Sequence, residues 1–122
     1  MKKILIAEDD FYIRDIYTKV FTQAGYTVDA AVDGEEGVKK VKDNFYDMIL
    51  LDIMMPELDD FELCRMIRAN DAIRRVPIIF VTAFGDENHA ARGYQLGAVD
   101  YIQTPVVSEV LKTKVGVFVE LY

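Results

Sequence analysis

Carboxylates end two short apolar runs of this sequence. Asp9 and Asp10 follow the run at residues 4–7, and Asp52 closes the run at 48–51. Such runs are typical of buried parallel strands, whose carboxyl ends meet at one edge of a sheet. Acids held close together there repel one another unless a cation neutralises them or one of them binds a proton. The pattern therefore predicts a divalent-cation site, with Asp52 as either a ligand or a nucleophile.

Asp9 and Asp10 also have a simpler alternative role, because aspartate is among the residues preferred as the N-cap of a helix. Apolar residues at helical spacing begin at Phe11, so either acid could cap that helix. A cap alone does not account for three consecutive acids, beginning at Glu8, placed across the sheet from Asp52. We expect a site, with capping as the alternative.

Strand and helix patterns alternate along the chain, and these elements must position the acids. The patterns predict strands over 3–8, 27–31, 48–52, 77–82 and 99–102. They predict helices over 11–24, 35–44, 59–67, 86–96 and 108–122, with Gly25 ending the first and Ser108 capping the last. Strict alternation of this kind predicts an α/β fold, a parallel sheet with helices on both faces.

Length and composition limit the classes of function. A chain of 122 residues favours one domain over 1–122, and the formal net charge of −7 argues against nucleic acid or an anionic membrane as a direct partner. One cysteine excludes an internal disulfide, and one histidine without a pair of thiolates argues against a zinc site. The first apolar run is too short for a signal peptide or a membrane span, so we expect a cytoplasmic protein, or a cytoplasmic part of something larger.

Several motifs in a fixed order carry a resemblance to a known family. They are the acids from Glu8 to Asp10, Asp52 followed by Met55-Pro56, Thr82-Ala83, and residues 97–101 leading to Pro105. With these motifs the whole chain resembles the receiver domains of two-component response regulators. The resemblance implies a flavodoxin-like, doubly wound sheet of five strands in the order 2-1-3-4-5. The site would then lie between the first and third strands.

The resemblance also implies roles for individual residues. Asp52 would accept a phosphoryl group from a histidine kinase or a histidine phosphotransfer protein. Mg²⁺ would be held by Asp9, Asp10, Asp52 and the backbone carbonyl of Met54. The Thr82 hydroxyl would bind the phosphoryl group and act as a switch, and Tyr101 would be the aromatic residue that changes rotamer with it. Such a domain signals and is not an enzyme in the usual sense.

One departure from the family pattern concerns Thr104, which stands where the family has a lysine before Pro105. A neutral hydroxyl does not replace an ammonium beside a phosphoryl group. One alternative is therefore an interaction module that works without phosphorylation. A more remote alternative is a Mg²⁺-dependent phosphohydrolase with an aspartyl nucleophile, although the chain leaves little room for a substrate-binding subdomain.

Further partners follow from the resemblance and from the last helix, which is apolar over a wide arc. We expect a homodimer through the face of the fourth helix, fifth strand and last helix as one use of that surface. A covalently linked output domain is another, with this chain as the N-terminal part of a longer protein.

Overall fold

The computed structural model describes residues 2–52, 65, 68–69, 76–82, 100–103 and 106–121. The strands of these residues are β1 (Lys3–Ala7), β2 (Thr27–Ala31), β3 (Met48–Asp52), β4 (Ile78–Thr82) and β5 (Asp100–Gln103). Three helices are described from end to end: α1 (Phe11–Gln23), α2 (Gly34–Asp43) and α3 (Ser108–Leu121). Of the helix predicted over 59–67, only Arg65 is described, and it is helical. The helix predicted over 86–96 lies outside the described residues.

The five strands form one parallel sheet in the order β2-β1-β3-β4-β5. This order confirms the predicted doubly wound fold. The chain leaves β1 toward β2 on one side and returns to β3 on the other, so the strand order reverses at β1 and β3. Loops that leave the two strands in opposite directions create a crevice at their carboxyl ends.

Alternating side chains divide the sheet between two apolar cores. On one face, Leu5 and Leu51 pack with Val41 of α2. On the other face, Ile6 and Leu50 join side chains from both α1 and α3, which are Tyr17, Phe21, Leu111, Val115 and Val119. The central strands are therefore buried on both sides, which is why β1 and β3 read as continuous apolar runs. This burial fixes the positions of the strand ends at which the acids lie in the sequence.

The first helix begins and ends as the sequence predicts. The side chain of Asp10 caps α1, and the chain leaves the helix through Gly25, whose φ is +97°. That left-handed conformation is strained for residues with a β-carbon and open to glycine. The predicted end of α1 at Gly25 is confirmed.

The last helix forms in spite of Gly116 and several valines. Its buried face is Leu111, Val115 and Val119, at a spacing of four residues, so packing outweighs the weak helix propensity of the segment. The predicted cap is off by one residue. The helix begins at Ser108, and the Val107 carbonyl accepts the N–H of Leu111 at 3.0 Å, so Val107 occupies the cap position.

Candidate functional site

The carboxyl ends of β1 and β3 bring two acidic positions together. In the parallel register Ala7 lies opposite Leu51, so the next residues along the two strands are Glu8 and Asp52. Neighbouring strands lie about 4.8 Å apart, which sets the scale of the separation between these two backbones. The structure describes Asp52 by its backbone, at the last position of the central strand β3. The backbone register thus places the residue that follows β1 beside the last residue of β3.

Glu8 is a buried acid that we did not predict as a ligand. It follows the last residue of β1, is 1% exposed, and donates its N–H to the Ala31 carbonyl at 3.1 Å. Its Oε1 accepts the N–H of Asp10 at 3.1 Å. We expected β1 to continue through residue 8, whereas the strand ends at Ala7. The side chain of Glu8 is buried, and its backbone lies beside the end of β3.

Asp10 is the N-cap of α1, the alternative role considered from the sequence. Its Oδ1 accepts the N–H of Tyr12 at 2.9 Å and that of Ile13 at 3.0 Å. Two of the helix's unpaired amides are satisfied in this way, and a carboxylate there is also favoured by the helix dipole. One oxygen of Asp10 is thus committed to the helix. Asp9, between the two tied acids, is exposed.

The guanidinium of Arg14 contacts the backbone of two of these acids. Its Nη1 donates to the Glu8 carbonyl at 2.9 Å and to the Asp9 carbonyl at 3.3 Å. The guanidinium carbon also lies 5.7 Å from the centre of the Phe11 ring, within the range of a cation–π contact. Sequence reasoning missed Arg14. The available signal was a cation one turn into the helix, from where it can reach back to the preceding loop.

The other predicted site residues are described in part. Thr82 ends β4, opposite Gln103, and Asp52 pairs with Val81, so the backbone of Thr82 reaches the same edge as that of Asp52. Tyr101 is a residue of β5 and pairs with Phe80. Met54 and Thr104 lie outside the described residues.

The donor set at this edge fits a hard cation. Glu8 and Asp9 offer carboxylate oxygens, the ligand type that Mg²⁺ prefers, and Mg²⁺ commonly takes one or two carboxylates with water and phosphate oxygens. Among the side chains that the structure describes, no three from histidine, cysteine, aspartate and glutamate group closely enough to hold a metal ion. Within those same residues, no helix is both long and apolar enough to cross a membrane.

Comparison with known families and proteins gives a consistent result. The family described as the response regulator receiver domain matches residues 4–116. The transcriptional regulatory protein AfsQ1 of Streptomyces coelicolor is 38% identical over 94% of this chain and 50% of its own length. ResD of Bacillus subtilis, also a transcriptional regulatory protein, is 40% identical over 84% of this chain and 42% of its length. The chain thus spans about half the length of these relatives.

Solved structures agree with the fold. The chemotaxis protein CheY4 of Vibrio cholerae superimposes with a TM-score of 0.91 at 27% identity, covering 97% of this chain and 98% of that one. A two-component response regulator from Clostridium difficile superimposes with a TM-score of 0.90 at 28% identity, over 98% and 97% of the two chains.

Proposed function

This chain belongs to the response regulator receiver domain family of two-component systems, and from that premise we propose that Asp52 accepts a phosphoryl group from a phosphohistidine donor. The observation that carries this proposal is the register of β1 and β3. It sets the backbone of Asp52 beside the loop of acids after β1, at the strand ends where the sheet order reverses.

We propose Glu8, Asp9, Asp52 and the backbone carbonyl of Met54 as the protein ligands of Mg²⁺. Asp10 is replaced by Glu8 in this set, because Oδ1 of Asp10 already binds two helix amides and Glu8 lies buried next to the end of β3. When bound, Mg²⁺ supplies positive charge to the oxygens of the incoming phosphoryl group. The role left to Asp10 is to fix the start of α1.

The reaction would be a displacement at phosphorus. A carboxylate oxygen of Asp52 forms the new phosphorus–oxygen bond while the phosphorus–nitrogen bond to the donor histidine breaks. The electron pair of the broken bond stays on the imidazole nitrogen. The Thr82 hydroxyl would donate a hydrogen bond to a phosphoryl oxygen, and Tyr101 would change rotamer with it. Thr104 offers a hydroxyl in place of the family's lysine, so less fixed positive charge faces the phosphoryl group.

The product is a signal and not a released metabolite. Phosphorylation would shift a two-state equilibrium of the domain and so change which partners it binds. We propose a histidine kinase or a histidine phosphotransfer protein as the donor and the cytoplasm as the location. A homodimer through β5, α3 and the predicted fourth helix is the proposed readout, because Val110 and Val117 of α3 are exposed, as is Val107 just before the helix. The relatives of twice this length support a covalently linked output domain.

The donor protein must approach the edge where Asp52 lies, and α1 offers it an apolar surface there. Phe11, Tyr12 and Ile16 are 65%, 77% and 54% exposed on the first turns of α1, directly after the acids. Large apolar side chains that are exposed together mark interaction sites more often than single ones do. We assign this surface, Phe11 with Tyr12 and Ile16, to the phosphohistidine donor.

Phosphorylation by acetyl phosphate, followed by intact mass, tests the proposal. We expect one added phosphoryl group that requires Mg²⁺ and is absent from Asp52→Asn. A folded protein that binds Mg²⁺, and yet gains no phosphoryl group from acetyl phosphate or from a phosphorylated histidine phosphotransfer protein, would contradict the proposal. That result would favour the phosphorylation-independent module suggested by Thr104.

A further inference from the structure

The acid loop, as we call Glu8, Asp9 and Asp10, differs from residue to residue in the hydrogen bonds of its side chains. Glu8 is tied by its Oε1 to the N–H of Asp10, and Asp10 is tied by its Oδ1 to the first turn of α1. The side chain of Asp9 is exposed between them, so its direction depends on the backbone that carries it. Asp9 is also a proposed cation ligand, for which direction matters.

Arg14 holds both peptide groups that flank Asp9. The Glu8 carbonyl belongs to the peptide before Asp9, and the Asp9 carbonyl belongs to the peptide after it. One nitrogen, Nη1 of Arg14, donates to the first at 2.9 Å and to the second at 3.3 Å. Fixing both peptide planes fixes the direction in which the β-carbon of Asp9 leaves the chain.

The guanidinium is itself held on a rigid element. Arg14 lies on α1, which is capped by Asp10 and anchored in the core by Tyr17 and Phe21. Its N–H donates to the Asp10 carbonyl at 2.9 Å, and its guanidinium carbon lies 5.7 Å from the centre of the Phe11 ring. The side chain therefore transmits the position of a packed helix to the acid loop.

We propose that Arg14 is a positioning residue that sets the cation affinity of this site by orienting Asp9 through its two flanking carbonyls. The inference rests on the proposed Mg²⁺ site. It assigns Arg14 a task separate from binding the cation, because an arginine offers donors and no acceptor. Residues that orient metal ligands in this way commonly change metal affinity by about 10- to 100-fold when they are replaced.

Calorimetric Mg²⁺ titration of Arg14→Met, Arg14→Lys and Lys19→Met tests the inference. Methionine keeps an unbranched apolar stem but is shorter than arginine and has no donor, so both hydrogen bonds are lost and we expect the dissociation constant for Mg²⁺ to rise by about tenfold. Lysine can donate to a carbonyl and should recover part of the affinity. Lys19→Met removes the same charge from the far end of α1, where Lys19 pairs with Asp15 at 2.9 Å, and should leave the affinity unchanged.

Amide hydrogen exchange without metal provides a second measurement. Arg14→Met should exchange faster than wild type at residues 9–13, while the amides of β3 and β4 keep their protection, because the contact that is lost is local. A merely structural role would lower protection throughout the domain. Should Arg14→Met fail to fold, Arg14→Leu, which also has no hydrogen-bond donor, replaces it in both measurements with the same expected result.

Three results would overturn the inference. If wild type binds Mg²⁺ and Arg14→Met binds it equally well, Arg14 does not position the loop, and the proposed function stands. If Arg14→Met binds Mg²⁺ more tightly, Arg14 acts chiefly as a repelling charge. If wild type does not bind Mg²⁺ at all, the proposed function fails and this inference fails with it.

Discussion

Three neighbouring acids have three different environments in this structure. Glu8 is buried, Asp9 is exposed, and Asp10 caps a helix. These environments follow from where β1 ends. Because the strand ends at Ala7, Glu8 is the first acid after it and Asp10 falls at the cap of α1. All three side chains carry a carboxylate, and the position of each on the backbone decides which one caps the helix and which ones are left for the proposed cation site.

Asparagine substitutions separate the two roles. Asp9→Asn should weaken Mg²⁺ binding strongly, because it removes a charged ligand. Asp10→Asn should change it little, since asparagine is as good a cap as aspartate and keeps the acceptor for the amides of Tyr12 and Ile13. Calorimetric titration of both variants provides the measurement. Equal losses of affinity would return Asp10 to the ligand set.

Replacement of the cap by alanine should affect folding. Asp10→Ala leaves the two helix amides without their acceptor, and the free energy of unfolding should fall by about 1 kcal/mol relative to Asp10→Asn. Urea unfolding without Mg²⁺ measures this difference. Equal stability of the two variants would mean that the cap contributes nothing.

Thr104 calls for a substitution in the opposite direction. Thr104→Lys introduces the ammonium that the family resemblance implies at this position, so the rate of phosphorylation by acetyl phosphate, or the conformational response to it, should rise. The measurement is the time course of the added phosphoryl group by intact mass, with Thr104→Met as a neutral variant of similar length to the lysine. An unchanged rate and response in both variants would show that Thr104 is tolerated.

At the scale of elements, the sheet has a polar anchor at the amino end of β1. The Tyr46 hydroxyl donates to Oδ2 of Asp29 at 2.7 Å, and Nζ of Lys3 lies 3.3 Å from the same oxygen. Burial raises the pKa of Asp29, but the hydrogen bond from Tyr46 and the ammonium of Lys3 outweigh it and hold that pKa below its usual value. Burial and the bond to Asp29 raise the pKa of Tyr46, which therefore remains a donor.

Tyr46→Phe should lower the free energy of unfolding by about 1 kcal/mol near neutral pH, because it removes this hydrogen bond. The ionised Asp29 contributes stability above its ordinary pKa of 3.8, and the contribution is lost as pH falls through the lowered pKa. The difference in free energy of unfolding between wild type and Tyr46→Phe should therefore become smaller at acidic pH. Urea unfolding at about pH 7 and about pH 3 measures this difference. A difference independent of pH would contradict this account, and Tyr26→Phe, outside the network, is the control.

The donor surface on α1 predicts a selective loss. Ile16→Ser should slow phosphotransfer from a phosphorylated histidine phosphotransfer protein several-fold and leave the reaction with acetyl phosphate unchanged, because only the protein donor covers that surface. Val117→Ser, on the exposed side of α3 and 50% exposed against 54% for Ile16, is the matched control. If Ile16→Ser and Val117→Ser accept the phosphoryl group from the protein donor at equal rates, α1 is not part of the proposed interface.

The elements were more predictable than their contacts. Apolar runs predicted the central strands β1 and β3, a short β-branched stretch predicted β2, and Leu111 and Val115 predicted the last helix against the propensity of Gly116. These predictions held because burial of a repeating pattern is a collective effect. The burial of Glu8 and the capping role of Asp10 depended on where β1 ends, and the reach of Arg14 depended on a side-chain conformation. Neither leaves a periodic pattern in the sequence.

At the scale of the whole molecule, binding of a cation at the proposed site and the free energy of unfolding should be coupled. Acids gathered at the strand ends repel one another in the metal-free domain, and a ligand that binds only the folded state stabilises it by mass action. The free energy of unfolding of wild type should rise with Mg²⁺, by about 2.7 kcal/mol at a concentration one hundred times the dissociation constant. A cation bound at the proposed site would thus link the chemistry of the edge to the stability of the sheet.

The measurement that tests the central claim most directly is the location of the phosphoryl group. After phosphorylation with acetyl phosphate and Mg²⁺, borohydride reduction converts an aspartyl phosphate to homoserine, which peptide mass spectrometry places in the sequence. We predict homoserine at Asp52 and at no other acid. Homoserine at Asp9 or Asp10, or a phosphoryl group that survives in Asp52→Asn, would contradict the account.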